Sequence, residues 1–222
     1  MNELSRDLDV SREAGGARFS SYRIATENDL QASRLYMWNL SLAARWWGPL
    51  AYTEVALRNN IHEQLADSTG TATWWDALPE KVSPQLERSI KDAVRFAGRA
   101  TKSENPSAND IVAASSFGLW TSCLHKDHAQ TLWRHHLAAG FHPTLKRGAL
   151  FDQAYKLKKL RDRIAHHEPI FAERHETHLK EMRFVLSAIH EDLPRLVEDC
   201  FPSLRRAIDG KEAALQHGVV DL

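Results

Sequence analysis

Apolar residues return every third or fourth position along this chain and almost nowhere every second one. Leu86, Ile90, Val94 and Ala97 follow that step, as do Leu150, Ala154, Leu157, Leu160 and Ile164, and later Leu179, Met182, Val185, Leu186 and Ile189. A stripe of this period is buried only when a helix lies against other helices. No run of two-residue alternation is long enough for a half-buried strand, and no Asn-Gly or Asp-Gly turn joins two such runs. The chain therefore predicts an all-α fold, a helical bundle with additional helices. At 43% hydrophobic residues it has the material for a core.

Local signals divide the chain. Thr26 and the acidic residues to Asp29 mark a helix start, and the spacing predicts helix over 30–47. Gly48-Pro49 reads as a break, with a second helix over 50–65. Trp74-Trp75 falls in a connector, Pro84 opens a third helix, and 101–108 is a polar loop. Helices are expected over 109–124, 127–138, 144–165 and 172–191, with Pro169 closing the region after 165 and Pro194 opening a short last helix. Residues 1–20, which include Gly15-Gly16, read as a flexible tail, 21–208 as one domain and 209–222 as a C-terminal tail.

Formal net charge is zero, so any surface for a polyanion must come from local segregation of charge. Two cysteines, Cys123 and Cys200, argue against a disulfide scaffold or a thiolate zinc site and fit a reducing compartment. No apolar run approaches a membrane span and the first residues carry no apolar signal region, so a cytoplasmic protein without membrane contact is expected.

Charge does segregate between residues 146 and 163. Lys146, Arg147, Lys156, Lys158, Lys159, Arg161 and Arg163 stand there against Asp152 and Asp162, opposite the apolar stripe. Such a face suits a phosphate backbone, and Lys156, Lys158, Lys159 and Arg163 are candidate RNA contacts. Its end reads Leu160-Arg161-Asp162-Arg163-Ile164-Ala165-His166-His167-Glu168-Pro169. Arg161 stays protonated and can grip a phosphate with two N–H groups, and His166 can move a proton near neutral pH. Cleavage through the RNA 2′-hydroxyl needs a base, an acid and positive charge at phosphorus, and these residues are that kit without a metal. On a continuous helix five residues rotate by roughly 140°, so the pair converges only if the helix ends near Ala165 or a second protomer completes the site. Pro169 disfavours helix at Glu168 and favours the early end. Bland roles remain open: Arg161 pairing with a carboxylate, His166 sitting at a helix C-terminus, Arg163 as a solvated charge.

Four segments in order carry a resemblance. They are Glu54-Val-Ala-Leu-Arg58-Asn59-Asn60-Ile61, Trp74-Trp75, Ser116-Phe117-Gly118-Leu119-Trp120 with Leu132-Trp133 beyond it, and Arg161 to Pro169. Together they resemble the Abi-like (abortive infection, AbiD/AbiF type) proteins and, through the arginine and histidine, the signature of HEPN-type ribonucleases. The likeness spans roughly residues 20–190. It implies a HEPN-like bundle, usually dimeric, with signature residues of two protomers meeting in an RNase site. It further implies a metal-independent endoribonuclease leaving 2′,3′-cyclic phosphate ends, acting as a toxin-like effector in phage defence. RNA, a second copy of the chain and an antitoxin or other defence-system protein are the implied partners. A non-catalytic RNA- or protein-binding module is the alternative. Arg161 and His166 take the catalytic roles, with Asp162, His167, Glu54, Arg58 and Asn59 in support.

Glu54, Arg58 and His62 step by four, so Glu54 can pair with Arg58 and the arginine can act as a clamp or a phosphate contact. His166-His167-Glu168 and His175-Glu-Thr-His178 are the densest groups among twelve histidines, but neither has the His-Glu-x-x-His pattern, and no metal or cofactor is expected. Ser116 and Cys123 are poor nucleophile candidates. Seven tryptophans read mainly as core, with Trp38, Trp46 or Trp47 as possible anchors of a dimer interface.

Overall fold

The structure is a computed structural model that describes residues 17–78 and 82–218, and every element among them is helical. In order these are α1 (Ala17–Ile24), α2 (Asp29–Thr69), α3 (Trp74–Ala77), α4 (Pro84–Thr101), α5 (Ala108–Ala114), α6 (Phe117–Cys123), α7 (Arg147–Ala165), α8 (His175–Ile189), α9 (Leu193–Cys200), α10 (Pro202–Asp209) and α11 (Lys211–His217). Between α6 and α7 the chain passes through a 3₁₀ turn (Lys126–His128), a wide π-helix (Ala129–Leu137) and a second 3₁₀ turn (Ala138–Gly140). No described helix is long and apolar enough to cross a membrane. The described residues group into two compact units. One holds residues 17–51, 159–177 and 195–218, the other 52–78, 82–158 and 178–194.

The expected break at Gly48-Pro49 is absent: α2 runs through Pro49 for 41 residues. Proline inside a helix costs about 3 kcal/mol or more. Against it stands the stripe Leu35, Trp38, Leu42, Trp46 and Leu50, all fully or nearly fully buried, each contributing roughly 1.5–3 kcal/mol. Packing wins over local propensity. Gly48 has a packing reason too, because a Cβ there would overlap Cε1 of Phe201. Burial of Trp38 and Trp46 also removes them as dimer anchors; Trp47 is the one of the three that faces solvent.

In the first unit, parts of the stretches read as tails are helical. Residues 1–16 and 219–222 lie outside the described part. Residues 17–20 belong to α1, and Phe19 is buried in an aromatic cluster with Tyr22 and Tyr36, which Phe171 joins 5.0 Å from Tyr22. At the other end 211–217 is helix. Ala214 is buried, and Arg34 donates to the carbonyls of Leu215 (3.1 Å) and Gln216 (2.7 Å), satisfying the helix end.

In the second unit the expected helix over 109–124 is two, α5 and α6, because Ser115 and Ser116 are extended and Ser115 Oγ accepts from the Trp120 indole at 2.8 Å. Trp74 is fully buried, donates to His62 Nδ1 (3.2 Å) and lies 6.4 Å from Trp120. Ser83 caps α4, with Pro84 in the first turn. The buried His128 accepts from the Ser83 N–H at Nε2 (3.0 Å) and donates from Nδ1 to Ser122 O (2.9 Å).

Two measurements test this packing. Gly48→Ala improves helix propensity by about 1 kcal/mol yet should lower stability in denaturant titration, because the methyl displaces Phe201. A gain in stability would show that Phe201 yields freely. The second concerns pH. Burial is the main cause holding His62 and His128 below the usual 6.5. Each also accepts an N–H bond that protonation would break. The unfolded chain takes up these protons near 6.5 and the folded chain resists until lower pH. Their stabilisation is thus complete above about 6.5 and lost as pH falls below it. Melting temperature should drop below about pH 6.5, less steeply in His128→Gln; equal slopes would remove His128 from the account.

Candidate active site

The end of α7 is built by three backbone bonds. The N–H of His166 donates to Asp162 O (2.9 Å), that of His167 to Ile164 O (3.0 Å) and that of Glu168 to Arg163 O (2.8 Å). His167 takes φ +55°, the left-handed conformation. This is a Schellman ending with a histidine where glycine is usual, at a cost of roughly 1 kcal/mol. The helix stops at Ala165, where Pro169 favours an end, while the His166 N–H still makes the helical bond to Asp162 O, so His166 keeps its helical direction and only His167 departs from it.

The segment from Pro169 to His175 is held from many sides. Ile170 N–H donates to Asn39 Oδ1 (2.8 Å) on α2, and Ile170 O accepts from Glu173 N (3.0 Å) and His175 Nε2 (2.9 Å). His175 Nδ1 accepts from the Trp46 indole at 3.1 Å. Indole N–H only donates, so Nδ1 is the bare nitrogen and Nε2 carries the proton given to Ile170 O. Phe171 O accepts from Lys211 Nζ (3.0 Å), whose ammonium lies 5.4 Å from the Trp38 ring centre. Arg163 completes the turn: its guanidinium donates to Glu173 Oε1 and to Pro169 O, and its Nε faces Glu168 Oε2 at 3.4 Å without hydrogen-bond geometry.

On this turn His166, His167 and Glu168 are exposed. Arg161 is half-buried one turn back, with Nη1 3.4 Å from Asp162 Oδ1 and its guanidinium 5.8 Å from the ring centre of Trp47. Lys159 is exposed on the same unit. Arg161 and Asp162 thus lie in the last turn and a half of α7, and His166 and His167 in the turn that ends it. Arg163 has a structural task as clamp of the turn.

The remaining candidates belong to the second unit. Arg58 Nε donates to Asn59 Oδ1 at 3.2 Å, Asn59 is exposed and Glu54 half-buried. Lys158 reaches α6, with Cε 3.2 Å from where a Cβ of Gly118 would stand. Lys156 Nζ lies 3.2 Å from Oε1 of the buried Glu181, whose Oε2 bonds His178 Nδ1 at 2.7 Å. Lys156 is committed to that carboxylate. Cys123 is fully buried, and burial pushes its thiol well above the usual range, so it is no nucleophile. Among the described residues no group of three or more His, Cys, Asp or Glu side chains stands close enough to hold a metal ion.

Sequence reasoning missed Asn39, Trp46 and Trp47 as parts of this region and grouped His175 with His178 as a weak metal pair. Asn39 and Ile170 are 131 positions apart, and no local pattern links them. No protein-family model matches the chain, and no curated protein or solved structure does either. The likeness to Abi-like proteins rests on the four sequence segments.

Removing Asn39 tests whether the turn depends on its clamp. Asn39→Ala leaves the Ile170 N–H unpaired and should lower stability by about 1–3 kcal/mol in denaturant titration. Amide exchange at Ile170 should speed up, and unchanged exchange would mean that the turn holds without Asn39.

Proposed function

We propose that this chain is a metal-independent endoribonuclease of HEPN type, working as a toxin-like effector in defence by abortive infection. One observation carries the reading: α7 ends at Ala165 in a turn held from several elements, which presents the exposed His166 one turn from Arg161. Rigid support of an exposed acid–base group is what an active site needs. The four sequence segments supply the family and the defence role.

The chemistry comes from the two side chains. A base takes the proton of the 2′-hydroxyl, and the 2′-oxygen attacks phosphorus. The bond from phosphorus to the 5′-oxygen breaks, and an acid protonates that oxygen. The product is a 2′,3′-cyclic phosphate and a 5′-hydroxyl. Arg161 binds the non-bridging oxygens as charge grows on them. His166 serves as base or acid. The second proton carrier is His166 of a second copy, so the working form is a homodimer, with RNA as substrate and an antitoxin or other defence protein as its control. The contact of Arg161 with Asp162 favours a second reading, a binding module for RNA or protein in which the arginine is structural.

Incubation with total RNA decides between them. Cutting should survive EDTA and leave 2′,3′-cyclic ends. His166→Ala should abolish it while stability stays within about 1 kcal/mol, as for an exposed residue. Arg161→Lys should fail as well, because lysine lacks the planar fork. Cutting by His166→Ala at the wild-type rate places the chemistry elsewhere, and cutting that requires added metal ends the metal-independent mechanism.

A further inference from the structure

Trp47 is 47% exposed, whereas Trp38, Trp46, Trp74 and Trp120 are buried. Its flat indole stands at the surface of the first unit. The neighbours one turn before and after it on the exposed face of α2 are Ala44 and Ala51, too small to shield the ring. The guanidinium of Arg161 lies 5.8 Å from its ring centre, and Asp162 holds that guanidinium at 3.4 Å. An indole with a guanidinium over its ring and nearly half of its surface exposed pairs an aromatic with a cation that can take a phosphate, the combination that binds single-stranded nucleic acid. The base stacks and the adjacent phosphate meets the charge.

We propose that Trp47 is a base-stacking platform of the Arg161 site and that the substrate is therefore single-stranded RNA, with one nucleobase on the indole and its phosphate at the arginine. The proposal rests on the endoribonuclease reading and names its substrate class. A duplex offers no free base face to an indole, and its paired bases cannot reach the platform. A protein partner fits less well. Covering Trp47 with an apolar chain surface would desolvate the Arg161–Asp162 pair along with it, a cost that such cover does not return. RNA brings a phosphate to the arginine instead.

Binding of a 2′-O-methyl RNA strand tests this without cleavage, since the attacking hydroxyl is blocked. Fluorescence anisotropy should show single strand bound more tightly than the same sequence as duplex. Trp47→Ala should weaken single-strand binding about tenfold, the size of one lost base stack, with an unchanged salt slope because no phosphate contact is lost. Trp47→Phe should recover most of the affinity and shows that the fold survives at this position. Arg161→Ala, in contrast, should flatten the salt slope. Equal single-strand affinity of Trp47→Ala and wild type, while wild type still cuts RNA, overturns the platform and leaves the endoribonuclease standing. Sedimentation in which Trp47→Ala turns a dimer into a monomer also overturns it, since the indole is then covered by a second copy. Wild type that neither binds nor cuts RNA overturns both.

Discussion

Both backbone polar groups of one residue, Ile170, are bound by side chains, and the shape of the candidate site depends on that clamp. Asn39 takes the N–H and His175 takes the C=O, while Trp46 selects the histidine tautomer that can donate. A buried peptide group without partners costs roughly 1–3 kcal/mol, so the chain at Ile170 has little freedom to move. That anchor lies just past Pro169 and shortly before α8. It leaves α7 only a few residues in which to end and reverse. His167 accepts a left-handed conformation because the bonds on either side over-determine it. The exposed imidazoles are thus displayed from a segment with a fixed course.

The same geometry sorts charges that look equivalent in sequence. Arg161 and Arg163 are two residues apart on one helix, yet their fates differ. Arg163 is consumed by Glu173, Glu168 and Pro169 O, and its loss would loosen the turn. Arg161 lies over an open indole at the surface. Lys156 is drawn to the buried Glu181, and Arg147 donates to Leu124 O. A carboxylate as buried as Glu181 needs hydrogen-bonding or charged partners, and His178 and Lys156 supply them. The basic face of α7 therefore divides its cations among different partners rather than forming one uniform track.

Tryptophan placement shows a similar division. Trp38, Trp46, Trp74 and Trp120 fill the interior, and each gives its indole N–H to a protein acceptor. Their burial disposes of the idea that Trp38 or Trp46 could face another copy. Trp47 differs because the helix rotates it about 100° from Trp46, away from the stripe that the core covers.

The sequence by itself determined the helical class, most helix starts and the end of α7. These depend on short-range physics: the period of apolar residues, the proline at 84 in a first turn, and the proline at 169. It also offers Arg161 and His166 as candidates, since their chemistry is local to the side chains. Only the tertiary structure decided that α2 passes through Pro49, that residues 211–217 form a helix, and which arginine is a clamp. The first two depend on partners far along the chain, and the third on the turn that brings Pro169 and Glu173 to Arg163. Phe201 against Gly48, Arg34 on the end of α11, and Asn39 on Ile170 leave no trace in local composition, because the energy that selects them arises only when distant segments pack.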